Sequence, residues 1–131
     1  MNQTELSAAD ELVALENGTL DPTAFPHGEH VRLGYKMLGQ YSFGEAVTRF
    51  SQGLRLLARK SGRPEVYNET ITVAFLALIS ERSARTPMAD WAEFKAANGD
   101  LLDKNCLERW YAPDQLKSDL ARKTFCLPRP R

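Results

Sequence analysis

The only two histidines of the chain, His27 and His30, stand three residues apart in Phe25-Pro26-His27-Gly28-Glu29-His30, and Tyr67-Asn68-Glu69-Thr70 follows some forty residues later. On a helix, positions three and four apart are neighbours, so both imidazoles would share one face. Glu69 stands at the mouth of the most apolar segment and aims into the same interior. Two imidazoles and one carboxylate make a ligand set that leaves open positions on Fe(II), Mn(II) or Zn(II). The candidate metal ligands are therefore His27, His30 and Glu69, with Tyr67 and Asn68 beside them to orient a substrate or a bound water. The same residues support a metal-free alternative, with Glu69 as general base in an apolar pocket. A structural role is the third account: His27 flanks a helix start and His30 hydrogen-bonds in the core. A buried Glu69 must then be paired or carry a raised pKa, and a histidine, Arg32, Tyr35 or a metal are the partners in reach.

These residues need a scaffold, and the pattern predicts helices throughout. Residues 4–16 carry Leu6, Ala9, Leu12, Val13 and Leu15 at helical spacing, with Thr4 or Ser7 as cap and Asn17-Gly18 as stop. A second helix runs from Pro26 or His27 to Gly39. A third spans 42–60, with Ser42 and Glu45 placed as a capping box. The fourth, 64–85, contains Ile71-Thr72-Val73-Ala74-Phe75-Leu76-Ala77-Leu78-Ile79, apolar on nearly all sides, and should be the central helix. Shorter helices follow at 88–98, 101–111 and 114–123. Phe125-Cys126-Leu127-Pro128 reads as an extended strap. Trp91 and Trp110 read as packing anchors. Gly34, in mid-helix, costs about 1 kcal/mol relative to alanine, so a close helix approach or space for a ligand is expected there.

The fold class expected is all-α: a single-domain antiparallel helical bundle over residues 1–131 with an irregular C-terminal strap, its extreme ends (1–3 and 128–131) flexible. A chain of 131 residues suits one domain burying roughly two-thirds of its unfolded surface. Seventeen basic residues balance seventeen acidic ones, which argues against a nucleic-acid partner held by phosphate contacts. No apolar run approaches the length of a membrane span, and the polar N-terminus has no signal-peptide pattern. Cys106 and Cys126 match no zinc or redox spacing, so a reduced, cytoplasmic setting is expected. A small-molecule ligand and a homodimer through exposed helix faces are the partners in view.

Phe25-x-His27-x-x-His30-Val31-Arg32-Leu33, Tyr67-x-Glu69-Thr70-Ile71-Thr72, Leu101-Leu102 through Trp110-Tyr111-Ala112-Pro113, and Ala121-Arg122-x-x-Phe125 to Pro128 together resemble a family of small, functionally uncharacterised, all-helical bacterial proteins. The likeness runs from about Phe25 to Pro130. In that family the segment similar to Tyr67–Thr72 has a histidine where this chain has Asn68. The resemblance thus implies a site of three histidines and a glutamate, from which this chain departs at Asn68, and it implies no reaction. An amide oxygen is a weak ligand for a hard metal and a poor substitute for imidazole on zinc or copper.

Overall fold

The computed structural model describes residues 8–130. The cap candidates Thr4 and Ser7 and the first residues of the expected first helix lie outside the described residues. Among the described residues seven α-helices form the bundle: α1 (Ala8–Asn17), α2 (His27–Gln40), α3 (Phe43–Lys60), α4 (Glu69–Arg85), α5 (Trp91–Ala97), α6 (Pro113–Leu116) and α7 (Asp119–Lys123). No strand occurs among the described residues. Among the described residues no helix is long and apolar enough to cross a membrane.

Glycines end two of the long helices. Gly18 and Gly62 take positive φ, and the amides after them reach back five residues, Thr19 N–H to the Ala14 carbonyl and Arg63 N–H to the Ala58 carbonyl. That satisfies carbonyls which a helix end leaves without partners. Only Tyr41 and Ser42 join α2 to α3, which pack on each other. Ser42 does cap α3 by position, but its hydroxyl makes no capping bond, and Glu45 turns to Arg49 at 3.0 Å. The expected capping box is not formed.

Central α4 packs against α2, α3 and α7, as its all-round apolar character requires. Leu76 joins one core cluster with Leu15, Leu33, Met37 and Phe50. Phe75 and Ile79 join the other, with Phe94, Leu101, Leu107 and Tyr111. Gly34 is where α2 crosses α4: a β-carbon there would lie 3.0 Å from Leu76 Cδ2 and 3.4 Å from Ile79 Cδ1. The close-approach account of this glycine holds. Gly53 does the same for α3 against α1, with the Leu15 carbonyl oxygen 2.6 Å from a built β-carbon.

Four boundaries differ from the expectation, the smallest difference being the fifth helix, which begins at Trp91 rather than Met88, behind the Asp90 cap. The fourth helix begins at Glu69 rather than Pro64, because Pro64–Val66 forms a separate 3-10 turn and Asn68 is extended. The segment 101–111 is not one helix but two 3-10 turns, Gly99–Leu102 and Cys106–Arg109. Between them the Asp103 carboxylate takes the Asn105 N–H at 2.9 Å, a local bond that competes with helix continuation. The expected 114–123 helix is divided likewise, with Ser118 capping α7 through the Ala121 N–H at 3.1 Å.

The strap after α7 is extended and held by its backbone. Buried Thr70 donates to the Thr124 carbonyl at 2.8 Å and accepts from Cys126 N–H at 3.0 Å. Tyr111 donates to the Cys126 carbonyl at 2.6 Å. Its apolar side chains do not bury, since Leu127 is 74% exposed. Trp91 packs on Tyr35 and Phe94 as a core anchor should. Trp110 does not; it lies on the surface under the Arg109 guanidinium.

Candidate functional site

His27 opens α2, and its Nε2–H donates to the Leu101 carbonyl at 2.9 Å. Its ring edge meets Phe75, centroids 4.7 Å apart. The imidazole thereby pins the start of α2 to the Gly99–Leu102 turn. His30, one turn on, lies against the Phe25 ring at 4.2 Å and 6.4 Å from the His27 ring. Burial, and after it the neighbouring His27, bring its pKa down to about 4 against the opposing pull of the Phe25 backbone and Glu29. At neutral pH His30 is an uncharged imidazole.

Glu69 is not gathered to these rings. As the first residue of α4 it accepts a hydrogen bond from the Tyr67 hydroxyl and faces Arg55 of α3 at 3.7 Å. Arg32, one of the expected partners, instead bridges Glu11 and Glu29. Tyr35, another, stacks with Phe94. Tyr67 is desolvated and bonded to a carboxylate, and both effects hold its phenol well above the usual range.

Asn68 has a structural task at both ends of its amide. Its oxygen caps α4 by accepting from Ile71 N–H at 2.9 Å, and its nitrogen donates to the Leu116 carbonyl at 2.8 Å. Among the described residues no three His, Cys, Asp or Glu side chains come together as a metal would need. The expected set of His27, His30 and Glu69 does not fit a metal: one imidazole nitrogen is given to Leu101, and the carboxylate is turned to Tyr67 and Arg55.

What His30 does border is space. A cavity of about 50 Å³ lies inside the bundle between His27, His30, Phe50 and Phe75. An outer groove of about 610 Å³ runs from Phe25 along Leu54 and Leu57 to Tyr67 and Asn68. His30, Leu54, Ile71 and Thr72 line both. Leu54 and Leu57 lie three apart on α3, a spacing that suits any core-facing stripe and does not mark them as groove wall. Phe25 does stand in the first motif, where its stacking on His30 gives no sequence signal of its own.

Compared with protein-family models, curated proteins and solved structures, the chain matches none.

Proposed function

We propose that this chain binds a small, largely apolar organic molecule in the groove between Phe25, α3 and the start of α4, with His30 as the polar group at its inner end. The observation that carries the reading is that His30, Leu54, Ile71 and Thr72 wall both the outer groove and the inner cavity. Ligand sites are concave, mainly apolar, and fixed by few polar groups, and this one offers a neutral imidazole and the Thr72 hydroxyl oxygen.

Binding is favoured over acid–base catalysis by the state of those groups. A general base works best with a pKa near the working pH, and at about 4 the His30 imidazole is a weak base and a good hydrogen-bonding group. Glu69, the carboxylate expected to serve as base, is not among the residues lining the groove. A metal-dependent enzyme has no support in the placement of His27, His30 and Glu69.

Titration calorimetry with octanol tests this. Wild type should take up about one octanol per chain, and Ile71→Trp, which fills the groove from the first turns of α4, should lose it while keeping its helical circular dichroism. Equal octanol uptake by the two proteins would contradict the reading.

A further inference from the structure

A second groove, of about 370 Å³, lies on the other side of Tyr67, which lines both. Its other walls are Arg55 and Arg59 of α3, Pro64, Glu65, and Arg122 and Lys123 of α7. Four cations from elements distant in sequence thus meet around one space.

The local carboxylates take up only part of this charge, pairing with two of the four. Arg55 faces Glu69, Arg122 pairs with Asp119, and the Glu65 carboxylate is drawn to Arg63 at 3.9 Å. No ion pair among the described residues involves Arg59 or Lys123. Each sits in the last turn of its helix, where a cation suits the helix dipole. The dipole accounts for one cation per helix; it does not account for both opening on the same groove. Like charges held around a concave wall raise the local potential and favour an anion between them.

The apolar groove next door complements this one. Arg63 is the only Asp, Glu, Lys or Arg in its lining, and His30 there is uncharged. The Tyr67 ring is the partition, with the Arg55 guanidinium 5.3 Å from its centroid.

We infer that the basic groove holds the anionic head, a carboxylate or a phosphate monoester, of an amphipathic molecule whose apolar body lies in the His30 groove. This rests on the binding reading above and names its ligand class. Guanidinium groups match either oxyanion in a forked geometry, and Lys123 adds a point charge.

The test compares octanoate, octyl phosphate and octanol by calorimetry on wild type and on the double variant Arg59→Gln/Lys123→Gln, whose two positions are exposed and outside the core. In wild type one of the anions should bind at least about tenfold tighter than octanol, which is the gain of a single good charge-assisted contact. The tighter of the two names the head. The double variant should bring that anion to the octanol level and leave octanol unchanged.

Equal binding of anions and octanol, or an anion affinity untouched in the double variant, would overturn the inference and leave the octanol site standing. An anion that binds Ile71→Trp as tightly as wild type would overturn it too, by separating the two grooves. Failure of octanol and both anions to bind would remove the binding reading and this inference with it.

Discussion

The Tyr67 hydroxyl donates a hydrogen bond to the Glu69 carboxylate two residues later, across the extended Asn68 that caps α4. This one bond sets which way the acid of the Tyr67-Asn68-Glu69 motif points. It holds Glu69 beside Arg55 and leaves the interior next to His30 to His27, Thr72 and apolar side chains. Tyr67→Phe removes the donor and should cost about 1–2 kcal/mol in chemical denaturation, the scale of a half-buried hydrogen bond to a charged group. The phenyl ring keeps the partition between the grooves, so octanol binding should persist.

Asn68→Ala should be more costly. It removes the cap of α4 and leaves the Leu116 carbonyl without its donor, together about 2–3 kcal/mol. Asn68→Asp keeps the capping oxygen but sets a charge against a carbonyl, so it should not restore full stability. Equal stability of Asn68→Ala and wild type would show that the amide is not structural.

Acid should weaken the fold through His30. Its pKa is lowered from an ordinary 6.5 to about 4 on folding, so the unfolded chain binds the proton more readily. Stability is then full above about pH 6.5 and falls as pH drops towards and through about pH 4, by about 3 kcal/mol in all. His27 and Glu29 are the titratable groups that act on His30, and both stay in place in His30→Gln. That variant should lose this limb of the pH–stability curve. A curve of unchanged shape would contradict the assignment.

Much of the fold was legible in the sequence. The apolar run Ile71–Ile79 announces a central helix because so many of its faces must be covered, and two core clusters cover them. The lost boundaries all lie where a short polar side chain satisfies a nearby amide: Asn68, Asp90, Asp103 and Ser118. Periodicity does not register those bonds, whereas they decide where a helix starts. The site was legible in part. The histidine pair does share the start of α2, but the direction of Glu69 depends on Tyr67 and on Arg55 from another helix, a tertiary relation that spacing alone does not encode.

Gly53→Ala tests the closest helix contact. Alanine favours a helix over glycine by about 1 kcal/mol, yet its methyl would meet the Leu15 carbonyl at 2.6 Å. Backbone must move, so a net loss of about 1–2 kcal/mol is expected. Gly28→Ala meets nothing within 4 Å and should be neutral or slightly stabilising.

Metal should leave the protein unmoved. One equivalent of Zn(II) or Mn(II), added to protein stripped with a chelator, should not raise the melting temperature. A rise abolished by both His30→Ala and Glu69→Gln would establish the three-ligand centre that the present geometry does not assemble.

The most direct measurement is the carbon–proton NMR signal of the His30 ring, followed at neutral pH as octanol is added. The account predicts that it shifts together with the Ile71 and Leu54 methyls, all three saturating at one ligand concentration. A His30 signal that stays in place while octanol shifts residues elsewhere, or shifts none, would contradict it.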